Sequence, residues 1–376
     1  MSLALYRKYR PKSFDALIGQ KEIVTVIKNA AKKDKLAHAY LLYGPRGSGK
    51  TTAARLIAKI ANCETRATRP QFKEQGEPCN ECAACLTTDS GRALDVIEID
   101  GASNRGVDEI RNLKEGIALA PTSSSHKVFI IDEAHMLTPA AFNALLKTLE
   151  EPPRHAILIL ATTEYEKIPI TISSRTQKFR FKKLALGEIV NKLNFIVEAE
   201  KLQIDPDAVE LIAASAEGSL RDAESLLDQI TALEQNVTLE NVEGIIGQAG
   251  FAKTSTLADY ILNAKLGESL EYLSKISDSG LNLTDLNKEL IHYLRRVLAL
   301  KIDPTLEKIY KNELTSKELE QIKNHSAMIK PEKHIPLLKS LIRAYGEMRY
   351  SPFAIVPLEI AIIENLNTNI ERGYKI

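Results

Sequence analysis

Residues 44–51, GPRGSGKT, match the pattern G-x-x-x-x-G-K-S/T between a predicted strand and a predicted helix. In such a loop the backbone N–H groups turn toward phosphate oxygens, helped by the positive end of the following helix. We therefore predict ATP or GTP binding, with Lys50 on the β- and γ-phosphates and the Thr51 hydroxyl on Mg²⁺. A glycine-rich turn that merely opens a helix is the alternative. The other predicted nucleotide-binding residues of this segment are Gly44, Pro45, Arg46, Gly47, Ser48, Gly49 and Thr52.

Two acidic residues follow a second apolar segment, VFIIDEAH, at residues 128–135. Asp132 and Glu133 would stand at the C-terminal end of a buried strand, where α/β sheets bind their ligands. Asp132 could join the Mg²⁺ shell, and Glu133 could polarise the water that attacks the γ-phosphate. An Asp-Glu pair can also cap a helix, but beside a phosphate loop the second acid favours hydrolysis over binding alone.

Three further polar residues could complete such a site. Arg221 falls in the first turn of a predicted helix, where the helix dipole disfavours a cation unless an anion lies nearby. Arg175, in the loop before the last predicted strand, could act as an arginine finger. Thr163 directly follows the run AILILAT and could bond the γ-phosphate or its attacking water, although Thr162 is equally placed by the pattern. Plain surface residues are the alternative for both arginines.

All four cysteines lie in one stretch with the spacing C-x15-C-x2-C-x2-C: Cys63, Cys79, Cys82 and Cys85. Four thiolates suit a closed, tetrahedral zinc site, which has a structural rather than a catalytic role. An iron–sulfur cluster would want another cysteine after three intervening residues, at the position of Asp89. Unliganded thiols are the second alternative. We predict a structural Zn²⁺ site, inserted between the phosphate-loop helix and the second strand.

Parallel strands are needed to bring these residues together. Short apolar runs predict five of them: AYLLY (39–43), DVIEI (95–99), KVFII (127–131), AILILA (156–161) and QKFRF (177–181). Helical patterns alternate with the strands, as in TPAAFNALLKTLEEPP, which has Thr138 as its cap and a double proline as its stop. We predict a doubly wound α/β domain over residues 1–181.

Beyond residue 182 the patterns are helical, and no further strands are expected. In SLRDAESLLDQITALE, Ser219 and Asp222 have the spacing of a capping box. We predict a small helical domain over residues 182–245 and a larger helical domain over residues 246–376.

Composition limits the class of protein. The chain has 376 residues, of which 44% are hydrophobic, enough for two or three domains with buried cores. Its 50 Lys+Arg nearly balance 49 Asp+Glu, which excludes a uniformly basic nucleic-acid coat protein. The basic N-terminus lacks an apolar run, and stretches such as AILILA are too short to span a bilayer. We expect a soluble protein, and the few cysteines argue for metal or reduced thiols rather than disulfides.

Taken together, the motifs resemble the γ/τ subunits of the bacterial DNA polymerase III clamp loader, a family of AAA+ ATPases. The similar segments follow the family's order over nearly the whole chain: YRKYRPKSFDALIGQ, HAYLLYGPRGSGKTTAARLIAKIANC, IEIDGASNRGVDEIR, FIIDEAHMLTPAAFNALLKTLEEPP, LATTEYEKIPITISSRTQKFRF and EGSLRDAESLLDQ. The resemblance implies an AAA+ nucleotide-binding domain with a zinc module at residues 63–85. A helical lid and an all-α oligomerisation collar would follow.

The resemblance also implies a role for each of these residues. ATP, Mg²⁺ and Zn²⁺ are the implied cofactors. Lys50 binds phosphate and Thr51 binds Mg²⁺. Asp132 is a ligand of the metal, and Glu133 activates the water. Thr163 becomes sensor 1, Arg175 a finger acting on the neighbouring subunit, and Arg221 sensor 2. The implied adenine pocket consists of Tyr6, Tyr9, Arg10, Pro11 and Ile18.

The implied function is ATP-driven opening of the sliding clamp β and its loading onto primer–template DNA during replication. The chain would act as an ATP hydrolase within the DNA polymerase III holoenzyme, a DNA-directed DNA polymerase assembly. Implied partners are δ, δ′ and further γ/τ copies, the clamp, the DNA, and accessory subunits linked to single-strand-binding protein. No membrane partner is implied. The implied location is the bacterial cytoplasm, at replication forks associated with the nucleoid. Arg105, in GASNRGVDEIR, could contact DNA phosphates.

Two other interpretations share the nucleotide-binding residues. A branch-migration helicase has no reason for a four-cysteine module, and a non-hydrolysing structural subunit of the loader is expected to lack Lys50 or Glu133. The chain departs from the family in a longer Cys63 to Cys79 spacing, which predicts an extra loop, and in SRT in place of Ser-Arg-Cys. Because the sequence ends at Ile376, we expect the loader core without the polymerase- and helicase-binding domains of longer members.

Overall fold

The computed structural model describes residues 3–104, 113, 115–233, 236–246, 251–278, 281–311, 313–348, 350–351 and 353–366. The chain divides into two compact units: Met1–Lys192 with Ala216–Asp228, and Leu193–Ser215 with Gln229–Ile376. The three domains expected from the sequence, with boundaries at residues 181 and 245, stay a prediction. Arg105, the predicted DNA contact, lies outside the described residues.

Helices and strands alternate through the first half, and helices dominate the second. The strands are β1 Ala39–Tyr43, β2 Val96–Asp100, β3 Lys127–Asp132, β4 Ala156–Thr162, β5 Gln177–Arg180, β6 Gln203–Ile204 and β7 Asn236–Val237. The α-helices with both ends described are α1 Leu5–Lys8, α2 Lys21–Lys32, α3 Lys50–Asn62, α4 Glu64–Thr68, α5 Pro70–Gln75, α6 Ala83–Asp89, α7 Pro139–Glu150, α8 Ile170–Ser173, α9 Leu186–Glu200, α10 Pro206–Ser215, α11 Leu220–Leu233, α12 Leu239–Ile246, α13 Phe251–Leu262, α14 Leu266–Asp278, α15 Leu283–Ile302, α16 Glu307–Tyr310, α17 Ser316–Met328, α18 Pro331–Met348 and α19 Ile355–Leu366.

The first unit is built around a five-stranded parallel sheet with the order β2-β3-β4-β1-β5. All five predicted strands are present, each within one residue of its expected ends. The predicted α/β fold with a parallel sheet is therefore confirmed. In this order β1 lies between β4 and β5, so the phosphate loop leaves the sheet beside the end of β4.

Alternate residues of the central strands pack into two cores on opposite faces of the sheet. On β3, Val128 and Ile130 join the core that includes α2 and α3, whereas Phe129 and Ile131 join the core that includes α7. Because both faces are covered by helices, the interiors of β1, β3 and β4 are apolar at consecutive positions instead of alternating with polar residues. This burial fixes the strand ends from which the candidate site residues project.

Local sequence signals begin the two helices that flank the site. The Thr138 hydroxyl accepts a hydrogen bond from the Ala141 N–H at 3.2 Å, and Pro139 occupies the first position of α7, as predicted. Helix α3 begins at Lys50, directly after Gly49, whose φ of 99° lies in the left-handed region that favours glycine. The strand, loop and helix of a phosphate-binding motif are therefore all in place.

One prediction about the second half is wrong. No strand was expected after residue 182, but β6 and β7 form a parallel pair in which Gln203 faces Asn236 and Ile204 faces Val237. Pairs of two residues are too short to produce an alternating or continuous apolar pattern. The sequence therefore carried no signal for them.

Beyond β7, the second unit is helical in the residues described, which confirms the predicted helical C-terminal domain. Its core includes one face of α15, where Leu290, Leu294 and Val297 are buried at helical spacing. The Asn282 side chain caps this helix by accepting from the Thr284 and Asp285 N–H groups. Throughout the described residues, no helix has both the length and the apolar character that crossing a membrane requires.

Candidate nucleotide site and four-cysteine cluster

The phosphate loop holds the buried ammonium group of Lys50. Its Nζ donates to the carbonyl oxygens of Gly44 and Pro45 at 2.9 and 2.8 Å. Burial lowers the pKa of Lys50, and the carboxylates of Glu133 and Asp132 oppose that shift. The lysine therefore lies at the loop, within the field of both acidic residues.

The beginning of α11 lies directly against the phosphate loop. A Cβ on Gly47 would fall 1.9 Å from the Ser219 hydroxyl oxygen, so this approach requires glycine, which also has a φ of 68°. Ser219 accepts from the Asp222 N–H at 3.3 Å, which supplies half of the predicted capping box. Arg221 is thereby held in the first turn of a helix that begins beside the loop.

Thr51 and Asp132 meet at the metal end of the site. The Thr51 hydroxyl donates to Asp132 Oδ2 at 2.8 Å, and Asp132 Oδ1 accepts from the Glu133 N–H at 3.0 Å. A hydroxyl and a carboxylate beside a phosphate loop are the oxygen ligands that Mg²⁺ takes together with phosphate oxygens. The residues present fit a Mg²⁺ ion, and Thr51 and Asp132 would hold it.

Glu133 follows β3 in the left-handed conformation, with a φ of 46°. Its Oε2 accepts from the Thr163 hydroxyl at 3.0 Å. The Thr162 hydroxyl instead accepts from the Glu164 N–H at 3.1 Å, and Thr162 is fully buried. The structure thus separates the two threonines that the pattern left equivalent, and it places Thr163 beside the acid.

Sequence reasoning missed His135, which connects the ends of β3 and β4. Its Nδ1 lies 3.0 Å from the Thr162 hydroxyl oxygen and 3.4 Å from Glu133 Oε2, and its Nε2 lies 3.1 Å from Glu164 Oε1. The position two residues after Glu133 was the available signal. His135 limits the directions in which the Glu133 carboxylate can turn.

The residues expected around the base lie in the N-terminal segment, residues 6–20. The Arg221 guanidinium lies over the Tyr6 ring, 5.1 Å from its centroid, and the Lys192 ammonium lies 5.6 Å from the centroid of Tyr9. Burial lowers the pKa of Arg10, as do other nearby cations. Arg221 and Tyr6 are therefore neighbours, and Lys192 is the neighbour of Tyr9.

The remaining predicted nucleotide-binding residues differ in exposure. Ser48 is buried, and its hydroxyl donates to the Pro45 carbonyl at 2.7 Å. Arg46 is exposed. Half-buried positions comprise Pro11, Ile18, Gly49 and Thr52.

Arg175 is not part of this cluster in its own chain. Its Nη1 donates to the Thr171 carbonyl and its Nη2 to Glu150 Oε1, both at 2.7 Å, and the side chain is 36% exposed. None of the contacts described for Arg175 joins it to Lys50 or Asp132. A role toward a neighbouring subunit stays a prediction.

The four cysteine sulfur atoms lie within 4.8 Å of one another. Cys63 Sγ accepts from the Cys79 N–H at 3.3 Å, and Cys79 Sγ accepts from the Cys82 N–H at 3.3 Å. A hydrogen bond from the Cys85 thiol, together with the backbone donors, lowers the pKa of Cys63. Four converging sulfur atoms with backbone donors fit a tetrahedral Zn²⁺ ion. We call residues 63–89, which carry this cluster, the cysteine module.

A buried carboxyl group lies one helical turn after Arg221. Glu224 is 4% exposed, and its Oε1 has no hydrogen-bond partner among the described residues. Burial raises the pKa of Glu224 to about 7, while Lys192 and Arg10 act in the opposite direction. Part of this carboxyl population is therefore protonated near neutral pH.

Family models match along most of the chain. Residues 19–185 match DNA polymerase III, delta subunit. Residues 188–235 match the ATPase lid domain of the DNA polymerase III clamp loader subunit, and residues 237–369 match domain III of DNA polymerase III subunits gamma and tau.

Curated relatives agree with these models. The chain is 40% identical to DNA polymerase III subunit tau of Bacillus subtilis over 97% of its own length and 63% of that protein. It is 39% identical to DNA polymerase III subunit gamma of Buchnera aphidicola from Schizaphis graminum, over 98% of this chain and 99% of that one. Against the Mycoplasma pneumoniae gamma/tau subunit the identity is 40%, over 81% of this chain and 43% of the relative. The chain thus spans less than two thirds of its longer relatives.

Solved structures show weaker similarity. The Bacillus subtilis clamp loader delta protein is 13% identical, with a TM-score of 0.42 over 91% of this chain and 99% of that chain. The Thermotoga maritima RuvB branch migration motor is 18% identical, with a TM-score of 0.47 over 73% of this chain and 86% of that chain. TM-scores below 0.5 do not establish a relationship, so the family assignment rests on the sequence relatives.

The buried Glu224 carboxyl should make the stability of the protein depend on pH. Between the ordinary pKa of 4.5 and the folded value of about 7, the folded chain binds more protons than the unfolded chain. Stability is therefore lost as the pH rises through that window, by an amount on the order of 3 kcal/mol. Glu224→Gln removes this titration, so its melting temperature should fall less than that of the wild type between pH 5 and pH 8.

Thermal melts across that range test the expectation, with the exposed Glu198→Gln as the matched control. Identical pH profiles for Glu224→Gln and the wild type would show that the carboxyl does not titrate in this window.

Proposed function

Because the chain belongs to the family of DNA polymerase III γ and τ subunits, we propose that it is an ATP-hydrolysing subunit of a clamp loader. The observation that carries the proposal is the convergence of Lys50, Thr51, Asp132, Glu133 and Thr163 at the C-terminal edge of one parallel sheet. Lysine and hydroxyl groups there suit the phosphates, and carboxylates suit the metal and the water. The resemblance first seen in the motifs is confirmed at the level of the family.

In the proposed reaction, the loop from Gly44 to Gly49 binds the phosphates through its backbone N–H groups. Lys50 exchanges its bonds to loop carbonyls for bonds to phosphate oxygens, because an anion is a stronger partner for a buried ammonium than a carbonyl is. Thr51 and Asp132 would hold Mg²⁺, which when bound would neutralise charge on the phosphates.

Glu133 is proposed to orient the attacking water and to accept its proton. Its carboxylate already receives one hydrogen bond, from Thr163, which fixes one oxygen and leaves the other available to water. Thr163 directly follows β4 and donates to the Glu133 carboxylate, so we assign it the sensor role. His135, on the other side, supports the same carboxylate.

Arg221 and the N-terminal segment are proposed to bind the rest of the nucleotide. The Arg221 guanidinium lies over the Tyr6 ring, and Arg221 belongs to a helix that begins at the phosphate loop. It can therefore contact both the aromatic ring expected beside the base and a phosphate. This fits the sensor 2 role for Arg221. The adenine pocket would consist of Tyr6, Tyr9, Arg10, Pro11 and Ile18.

The partners are proposed from the family. The chain would assemble with δ, δ′ and further γ/τ copies through its C-terminal helices, open the sliding clamp β, and load it on primer–template DNA. Accessory subunits linked to single-strand-binding protein would join the assembly, in the cytoplasm at replication forks. The alternatives of a branch-migration helicase and a non-hydrolysing subunit lose support, because the relatives are γ and τ subunits and both Lys50 and Glu133 are present.

Replacing Glu133 should separate nucleotide binding from turnover. Glu133→Gln keeps a similar shape but cannot take a proton, so hydrolysis should fall by about 10²–10⁴-fold while ATP affinity stays near that of the wild type. Lys50→Ala should weaken binding itself. Equilibrium binding and steady-state phosphate release measure the two effects. Normal turnover by Glu133→Gln would assign the water to another group.

The cysteine cluster should bind about one zinc ion per chain, as four-thiolate structural sites do. Metal analysis of protein purified under reducing conditions checks this expectation. Cys82→Ser should lower the zinc content and destabilise the cysteine module, because metal binding is coupled to local folding. Bound iron, or a reduced protein without metal, would contradict the assignment.

Mixing two variants tests whether Arg175 acts on a neighbouring chain. Arg175→Ala should still bind ATP but hydrolyse it slowly within the assembly, since arginine fingers contribute about 10³–10⁵ in rate. Lys50→Ala should also be slow, because it lacks the phosphate contact. Mixed assemblies of the two variants should recover activity at interfaces where an intact loop meets an intact arginine.

ATPase assays with partner subunits and primer–template DNA measure this recovery. If mixed assemblies form and remain as slow as either parent, Arg175 is not a finger.

A further inference from the structure

Glu77 of the cysteine module is a buried carboxylate whose partners lie far away in sequence. It is 6% exposed, and its two oxygens accept from the backbone N–H groups of Phe14 and Asp15 at 2.8 and 3.0 Å. Lys28 Nζ lies 3.0 Å from the same carboxylate and 2.7 Å from the Asp15 side chain. Both oxygens of Glu77 therefore hold the N-terminal segment or its neighbour α2.

The backbone beside Glu77 is itself held against α2. A Cβ on Gly76 would lie 2.6 Å from the Lys28 carbonyl oxygen, and Gly76 has a φ of 69°. Two residues after Glu77, Cys79 joins the sulfur cluster. A short and tightly packed stretch of chain thus separates the metal-binding cysteines from the carboxylate.

A second bond ties the other end of the module to the same region. Lys59, on α3, is 1% exposed and donates to both carboxylate oxygens of Asp89 at 2.8 and 2.9 Å. Its Nζ also lies 3.4 Å from the Lys12 carbonyl oxygen. Asp89 is the last residue of α6, the helix that carries Cys85. The module is therefore connected to the N-terminal segment through Lys59 at residue 12, as well as directly at residues 14 and 15.

The N-terminal segment in turn packs on the phosphate loop. The Leu17 side chain comes within 2.9 Å of a Cβ built on Gly49. Gln20 Nε2 donates to the Lys182 carbonyl at 2.9 Å and lies 3.5 Å from the Ser48 carbonyl. A continuous series of contacts runs from the cysteines through Glu77 and residues 14–20 to the loop.

We propose that the cysteine module positions the N-terminal segment for nucleotide binding, with Glu77 as the positioning residue, and that metal loading of the module raises nucleotide affinity. The inference rests on the proposed function, in which that segment and the phosphate loop bind ATP. Without Glu77, the buried Phe14 N–H and the partly buried Asp15 N–H lose their acceptor, and Lys28 loses one of its two carboxylates, so the segment is held less firmly. Nothing in these contacts touches Glu133 or Thr163, so the effect falls on binding rather than on the chemical step.

Glu77→Ala should weaken binding of a fluorescent adenine nucleotide by about tenfold, in the usual range of coupling between sites. Zinc content should stay near that of the wild type, because all four cysteines remain. Turnover of the assembled complex at saturating ATP should change much less than the affinity. The nucleotide affinity of Glu77→Gln, which keeps an acceptor for one N–H, should lie between those of the wild type and Glu77→Ala. Glu74→Gln, an exposed residue of the same module, is the matched control and should bind as the wild type does.

Two further measurements make the test independent of turnover. Removing zinc from the reduced wild type with a chelator should weaken nucleotide binding by a similar factor. In Glu77→Ala, zinc removal should weaken nucleotide binding by a smaller factor, because both changes break the same connection. Hydrogen exchange should show the Phe14 and Asp15 amides losing protection in Glu77→Ala. Should that variant fail to fold in thermal melts, Glu77→Gln and zinc removal decide the matter.

Wild-type affinity in folded Glu77→Ala, or affinity indifferent to zinc, would overturn the inference and leave the proposed function intact. If instead the wild type binds no ATP, or Lys50→Ala binds as tightly as the wild type, the proposed function fails first.

Discussion

The hydrogen bond between Thr51 and Asp132 depends on three parallel strands that end at the same edge of one sheet. Strand β4 separates β1 from β3, so two strand spacings, about 10 Å, lie between the strand that leads into the phosphate loop and the strand that ends at Asp132. The phosphate loop and the following helix bring Thr51 across that gap. Thr163 leaves β4 between them and meets Glu133. Since strand ends and the packed helix α3 position these groups, the core packing on both faces of the sheet maintains the geometry of the site.

Buried charges in the first unit fall into two kinds. Lys59 with Asp89, and Glu77 with Lys28 and two backbone donors, are paired and hydrogen-bonded, so burial does not leave an isolated ion. Glu224 has an oxygen without a hydrogen-bond partner among the described residues, and burial raises its pKa. The paired groups join elements that are distant in sequence. They concentrate polar connections around the N-terminal segment, where a purely hydrophobic contact would allow sliding.

The sequence predicted those features that depend on local pattern. Apolar runs marked the five strands, and the phosphate loop and the cysteine spacing were visible as motifs. Partners that lie far apart along the chain were not, so the contacts of Glu77 across 62 and 63 residues could be found only after folding. Thr162 ends β4 and Thr163 directly follows it, and only the folded backbone decides which of the two hydroxyls meets Glu133. Arg175 acts toward another chain, if it acts as proposed, so one chain alone cannot place it.

The long spacing between Cys63 and Cys79 is filled by α4 and α5, and α5 contributes no buried residue. This stretch also contacts α2 and the residues that follow it: Arg66 donates to the Ala31 carbonyl and pairs with Asp34, and Lys73 pairs with the same carboxylate. Gly76 and Glu77 hold its C-terminal end. Evolution can therefore change the exposed positions of this stretch, such as Gln71, Glu74 and Gln75, at little cost in stability, whereas Arg66, Phe72 and Lys73 are held by contacts. An exposed position such as Glu74 offers a protein engineer a site for a reporter group within the cysteine module and outside the core.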